Sequence, residues 1–371
     1  MSVSPILETV SAAVSTATNS VTSRRAMLKL SLAAAGGVAI TAWSASTSAT
    51  TAHAAVDTRD SLVLGAYRPD ITTTGVLPGS TLTITSNHVP VSNTTYTNLD
   101  VRSNVVPGAS VGNVTYKNCM FRGTAAAPTT FSSLYTMFRP HQRGFTFIDC
   151  TFRPQTPDFM WVGLQGYGFT LLRCEANKLV DQVEVFNSNN GPGGASDDSL
   201  RNGPGDVVVD QCFFHESAYW GPSIDTGAAR NGSHSDGIQW EGTTGLTVRG
   251  NYFTGQLRTE YQPNFVGGTT TNSAMMIKPD AGNVGGATIT NNWFGGGAVT
   301  INVADAPAKN RYIANLGTLS NNRFNRDQFY APTAILVNVN RVTGHSDIAI
   351  NTTGNVFDNN GAAVPTIRKF Y

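Results

Sequence analysis

The hydrophobic and polar positions of this chain follow one short phrase that recurs along its length. In the phrase, two apolar residues flank a polar residue, and a Phe or another aromatic residue usually stands near the end. Copies occupy residues 114–121, 145–152, 169–174, 207–214, 246–253 and 287–294, with shorter ones at 320–324 and 355–357. The alternation is typical of a β-strand. Copies that lie 24 to 41 residues apart indicate a solenoid, in which equivalent strands stack in parallel.

One position of the phrase predicts an inward-facing ladder of small side chains. It holds the four cysteines of the chain and then four asparagines: Cys119, Cys150, Cys174, Cys212, Asn251, Asn292, Asn322 and Asn355. Stacked asparagines satisfy their buried amides along the ladder, and cysteine fills a similar small volume as an apolar residue. Because there is no C-x-x-C pair and no His at ligand spacing, the cysteines do not indicate a metal site.

A second strand is predicted after several phrases, and its outward side chains define one face. Its copies are residues 181–186, 236–241 and 273–278, with 299–302 and 335–338 as later members and 137–140 and 158–163 as earlier ones. Two outward columns are expected, which hold Trp161, Glu184, Gln239 and Met276, then Arg139, Phe186, Glu241 and Lys278. Asp181 and Asp236 head their strands, and His234 lies two residues before Asp236.

Composition and the N-terminal segment indicate which partners and which location to expect. Charged residues make up only 13% of the 371 residues and the net charge is +1, which gives no reason to expect nucleic acid or an anionic membrane as a partner. Arg24 and Arg25, an apolar run over 30–43 and the triplet 52–54 match a twin-arginine signal with a cleavage site. We therefore expect a signal peptide at 1–54, a linker or cap at 55–74, a solenoid at 75–371, and a secreted protein with no membrane association after processing. Twin-arginine substrates fold before export, so the cysteines need not pair.

The phrase, its ladder and the short strands resemble the pectate-lyase-like superfamily across roughly residues 75 to 365. The segments 74–83 and 234–239 are similar to secreted actinobacterial members of that group. The resemblance implies an all-β, single-stranded right-handed parallel β-helix with long loop inserts, and an extracellular enzyme that acts on polysaccharide. The calcium-binding Asp clusters and the Arg motif of pectate lyases are not recognisable here, nor is the paired-aspartate signature of polygalacturonases.

Two reactions fit the residues of the predicted face. In a lyase that acts on acidic polysaccharide, Arg139 or Lys278 would neutralise the sugar carboxylate and His234 would serve as base or acid. In a glycoside hydrolase, Asp181 with Asp236, or Glu184 with Glu241, would flank the bond. The lyase is preferred on the resemblance, and a non-catalytic carbohydrate-binding or cell-envelope protein is the alternative from another class.

Other residues of the chain are assigned weaker roles. Gln239, Trp161 and Trp220 are candidate sugar contacts, although either Trp equally suits the core, and His215 is expected to reach the same groove. The insert 189–206, with Asp197, Asp198 and Asp206, offers oxygen ligands for Ca²⁺ or is a flexible solvated loop. Glu241 with Lys278 is also readable as a surface ion pair, and Asp236 as a turn residue. A monomer is expected.

Overall fold

The computed structural model describes residues 59, 67–125, 136–140, 143–157, 161–186, 204–218, 235–254, 272–328, 333–342, 344–345 and 347–371. Over this part the chain forms short strands that pair in parallel, coil upon coil, in three long sheets. The predicted right-handed parallel β-helix is therefore confirmed. The signal segment, His234 and Trp220 lie outside the described residues, so the roles expected of them stay predictions.

Within the described residues, the three long sheets have the following strands in chain order. Sheet 1 contains nine strands: Thr94–Thr97, Val114–Lys117, Phe145–Ile148, Phe169–Leu172, Val208–Asp210, Thr247–Arg249, Ala287–Thr290, Asn315–Ser320 and Ala349–Asn351. Sheet 2 contains ten: Thr83–Thr85, Leu99–Val101, Met120–Phe121, Thr151–Phe152, Glu175–Asn177, Phe213–His215, Tyr252–Phe253, Trp293–Phe294, Arg323–Phe324 and Val356–Phe357. Sheet 3 contains eight: Thr136–Phe138, Val162–Gly166, Asp181–Val185, Asp236–Trp240, Ser273–Ile277, Ile301–Ala304, Ile335–Val339 and Thr366–Phe370. A two-stranded sheet joins Thr243–Thr244 to Val284–Gly285, and a 3-10 helix spans Pro307–Lys309.

Each phrase of the sequence is two strands rather than one. The residue before the ladder position has a left-handed backbone, with φ of 55° at Asn118, 54° at Asp149 and 57° at Asn291. Asn and Asp tolerate this conformation better than most residues. It turns the chain from sheet 1 into sheet 2, so most coils have three sheet strands where the sequence suggested two.

The predicted ladder is confirmed, and its two halves are held differently. All eight ladder residues are buried. In the asparagine half, each side-chain oxygen accepts the backbone N–H of the preceding coil, from Asn251 to Asn292 at 2.9 Å and from Asn292 to Asn322 at 3.0 Å. In the cysteine half, the thiols lie against strand carbonyls, as Cys150 Sγ does at 3.3 Å from the oxygen of Ile148. The ladder thus lines the core beside the stacked rings of Phe121 and Phe152.

We expect the thiols of the folded protein to be unreactive. All four cysteines are free and buried, and none is more than 2% exposed. Because a thiol reagent needs solvent access to the thiolate, native protein should give no reaction with Ellman's reagent. All four should react in denaturant. A thiol that reacts rapidly under native conditions would contradict the described packing.

Candidate functional site

The outward face of sheet 3 carries one continuous column of side chains, most of which are polar. In the register of the sheet, Glu184 stands opposite Gln165 on one side and Gln239 on the other. Met276 and then Asn302 follow on the next two coils. Two residues along, Glu241 and Lys278 follow Trp240 and Ile277, which pair directly, so Glu241 and Lys278 are neighbours. Glu184 and Glu241 therefore lie diagonally on adjacent coils, as the sequence predicted.

Two of the expected positions on this face are wrong. Trp161 is completely buried in the core, where its indole N–H donates to the carbonyl of Thr156, so it offers no surface to a sugar ring. The strand begins one residue later, and Gln165 occupies the outward position that was expected for Trp161. Arg139 follows Phe138, which pairs with Leu164, and so belongs to the Glu184 column rather than to that of Glu241.

His215 does not reach this groove. It ends a strand of sheet 2, and its Nε2 lies 2.8 Å from Glu175 Oε1. Its ring stacks on Phe213 with the centroids 4.2 Å apart. Glu175 is covered by the segment around Gly75, where a Cβ atom would meet the Glu175 carboxylate at 2.6 Å. His215 is therefore part of a packed contact on sheet 2, and the expectation that it contributes to the groove is wrong.

Asp181 and Asp236 bind the backbone of the neighbouring coil. Asp181 Oδ1 accepts the backbone N–H of Asp236 at 3.0 Å, and the carboxylate of Asp236 accepts that of Ser273. The side-chain amide of Asn272 also donates to Asp236 Oδ1, at 3.1 Å. Asp236 is only 2% exposed, so its contacts are with protein rather than solvent. Asp181 and Asp236 therefore form a ladder of carboxylates at the starts of their strands. Binding to the backbone in this way is similar to the turn role that was considered for Asp236.

Glu184 and Glu241 are partly exposed carboxylates of the outward columns. The side-chain amide of Gln165 donates to Glu184, and that of Gln239 donates to Glu241 Oε1 at 2.5 Å. The cations near them are already engaged. Lys278 Nζ pairs with Asp280 at 2.8 Å, and Arg139 is only 6% exposed. We call Asp181, Glu184, Asp236 and Glu241 the carboxylate cluster.

The pKa of each of the four carboxylates is raised above its ordinary range. Burial is the largest cause for each, because it disfavours the charged form. For Glu184, burial and the charge of Glu241 outweigh the Gln165 hydrogen bond and the charge of Arg139, and its pKa rises to about 7. The pKa values of Asp181 and Asp236 are raised further by neighbouring carboxylates of the cluster. At neutral pH the cluster therefore retains protons that isolated carboxylates would have lost.

The protein should become less stable as pH rises through neutrality. Because the pKa of Glu184 is about 7 in the folded chain and 4.5 in an ordinary glutamate, the folded state binds more protons between these values. The free energy of unfolding then falls as pH rises across that window. One pKa unit is worth about 1.4 kcal/mol, so Glu184 contributes ~3 kcal/mol at most.

Thermal unfolding at pH 5 and pH 8 checks this prediction. The melting temperature should be higher at pH 5, and the Glu184→Gln variant should show a smaller difference between the two pH values. Equal pH dependence in wild type and variant would show that Glu184 does not titrate in this range.

No group of His, Cys, Asp and Glu side chains within the described residues is arranged to hold a metal ion. Most of the insert considered for Ca²⁺ lies outside those residues, and its last member, Asp206, pairs with Arg143 at 2.9 Å. The calcium hypothesis for the rest of the insert stays a prediction. Over the same part of the chain, no helix has the length and apolar character needed to cross a membrane.

Comparisons with known proteins give distant structural matches. No family model and no curated protein matches the chain. Two solved structures do, both of the catalytic domain of a GH87 alpha-1,3-glucanase, each with an aspartate replaced by alanine and in complex with nigerose. Each shares 11% identity at a TM-score of 0.30 over 76% of this chain, which spans about half (52%) of the matched chain. This similarity is too low to assign a reaction or a substrate to the chain.

Proposed function

We propose that the chain is a secreted polysaccharide-active enzyme, and that it hydrolyses a glycosidic bond at the carboxylate cluster. The observation that carries the proposal is the placement of Glu184 beside Glu241 on an outward face, with the pKa of Glu184 raised to about 7. A glycosidase needs one protonated and one ionised carboxyl group at the same bond. Export through the twin-arginine route is part of the proposal and rests on the N-terminal pattern alone.

Glu184 is assigned as the general acid. Its pKa near 7 keeps a proton available at neutral pH, and the Gln165 amide orients its carboxyl group. Glu241 is assigned as the partner carboxylate because it lies diagonally to Glu184 on the next coil. Burial raises its pKa, and the hydrogen bond from Gln239 and the charge of Lys278 oppose that rise. Asp181 and Asp236 accept backbone N–H groups of the neighbouring coil, so they are assigned as positioning residues.

The spacing of the two glutamates favours inversion. They are separated by one coil, about 4.8 Å, and two residues along the strand, about 6.6 Å, which gives a backbone diagonal of about 8 Å. Inverting glycosidases hold their carboxyl groups roughly 6.5–9.5 Å apart to leave room for a water molecule, and retaining ones roughly 5–5.5 Å. The first product released should therefore have the anomeric configuration opposite to that of the substrate.

A lyase that acts on acidic polysaccharide is the second candidate, favoured by Arg139 in the Glu184 column. It is the weaker one, because Lys278 is paired with Asp280 and is therefore less available to neutralise a sugar carboxylate. A screen of neutral and acidic polysaccharides separates the candidates. Reducing ends without ultraviolet absorbance support hydrolysis, and an unsaturated, absorbing product supports the lyase. Retardation in a polysaccharide gel with neither signal supports the non-catalytic binding protein.

A further inference from the structure

A cavity opens on the outward face of sheet 3, on the C-terminal side of the carboxylate cluster. Its volume is about 310 Å³, at the lower end of the range for small-molecule sites. The residues that line it are Asn272, Ala298, Val299, Asn302, Thr333, Leu336 and Lys369. Asn302 and Leu336 continue the column that holds Glu184, Gln239 and Met276. The cavity therefore lies along the same outward column as Glu184, one of the proposed catalytic residues.

The lining combines an apolar surface with hydrogen-bonding groups of both kinds. Ala298, Val299 and Leu336 supply aliphatic surface. The Nδ2 group of Asn272 donates to Asp236, which leaves its Oδ1 to accept. Asn302 Oδ1 accepts from Asn338 at 3.1 Å, which leaves the Nδ2 group of Asn302 to donate. A sugar ring presents a C–H face and hydroxyl groups that both donate and accept, so it matches this lining.

We infer that the cavity is a subsite for a neutral sugar residue of the glycan whose bond lies at the carboxylate cluster. The inference rests on the proposed function and adds a location and a substrate class to it. Asn272 joins the two sites physically, because it binds Asp236 and also lines the cavity. Asn302 lies two coils beyond Gln239, about 10 Å along the helix axis, with Met276 between them. The subsite therefore takes a residue beyond the sugars that flank the cleaved bond.

The charged groups in and near the cavity favour a neutral rather than an acidic glycan. Lys369 is the one charged residue of the lining, and it is solvent-exposed, where a lysine charge is strongly hydrated. A uronic acid in the cavity would face the acceptor oxygen of Asn272 and, behind it, the carboxylate of Asp236. Its neighbours along the chain would pass over Glu184 and Glu241. Lys369 is therefore assigned as a hydrogen-bond donor to a hydroxyl group.

Binding measurements on the full chain test the subsite. In a Glu184→Gln background, we would titrate labelled hexasaccharides of glucose, xylose, mannose and galacturonic acid. Thr333→Trp fills the cavity, and Thr318→Trp places the same side chain on the outer face of sheet 1, away from the groove. A neutral hexasaccharide should bind, and Thr333→Trp should raise its Kd by about tenfold or more, whereas Thr318→Trp should leave it unchanged.

The outcomes separate the subsite from the proposed reaction. Equal affinity in the two Trp variants, or no binding of any neutral hexasaccharide, overturns the subsite. Preferential binding of the galacturonic acid oligomer that is lost in Lys369→Ala overturns the neutral assignment. Loss of neutral-glycan binding in Thr333→Trp, together with wild-type protein that cleaves none of the glycans, supports the subsite and overturns the hydrolase proposal.

Discussion

Replacing Glu184 by glutamine should lower kcat for glycan hydrolysis by about 10²–10⁴-fold, the usual worth of general acid–base catalysis. Glutamine has the same shape and retains a partner for Gln165, but it cannot give up a proton to the leaving oxygen. In wild-type protein, activity should also fall as pH rises above about 7, because the acid form of Glu184 is lost through its pKa. Initial rates across a pH series, with wild type and variant side by side, measure both effects.

A matched control is available on another sheet. Glu175→Gln makes the same change at a partly buried carboxylate that binds His215 on sheet 2, outside the groove. Its kcat should equal that of wild type in protein shown to be folded by its melting temperature. A Glu184→Gln variant that retains full kcat would reject Glu184 as the acid. A Glu175→Gln variant that is folded and loses kcat to the same extent would reject the location of the site.

The ladder and the sheets could be predicted because the sequence phrase that produces them is repeated along the chain. The Cys or Asn position recurs in every coil with the same apolar neighbours, so the alignment of one copy supports the next. The early coils of sheet 3 have no such signal, and the loops before them differ in length. Without that signal, the early strands were aligned in the wrong register. Trp161 was therefore expected on the outward face, where the structure has Gln165. A large apolar side chain near the start of a strand can either pack in the core or contact a sugar ring. Which of the two it does depends on tertiary packing.

The pairing of carboxylates was predictable in part, and their electrostatics were not. The diagonal of Glu184 and Glu241 follows from strand register, which the sequence indicated for these two coils. The raised pKa of Glu184 depends on burial by neighbouring coils and on the charge of Glu241, and the extent of that burial has no local sequence signal. Asn272 was missed for the same reason, since it precedes its strand and acts through Asp236. His234 stays a predicted participant.

Replacing Asn292 by alanine should destabilise the protein by about 3 kcal/mol or more, because each buried polar group left without a partner costs about 1–3 kcal/mol. Asn292 Oδ1 accepts the backbone N–H and the side-chain amide of Asn251, both at 2.9 Å. Its own amide donates to the carbonyl of Val248 at 3.0 Å. The variant loses these three bonds and a fourth, from the Asn292 amide to Asn322 Oδ1 at 2.9 Å, in a position with no solvent exposure. Urea unfolding, followed by the change in midpoint at a constant slope, measures the loss.

Two comparisons make this prediction specific to the ladder. Asn351→Ala removes an exposed asparagine that bonds its own turn, at Thr353, and should change stability by less than about 0.5 kcal/mol. Asn292→Cys installs the side chain that the N-terminal coils use at the same position. It fills much of the space but leaves the Asn251 amide and the Val248 carbonyl without their partners, so it should fall between wild type and Asn292→Ala. If Asn292→Cys were as stable as wild type, the hydrogen bonds of the ladder would contribute nothing beyond packing. Asparagine would then be exchangeable with cysteine along the whole helix.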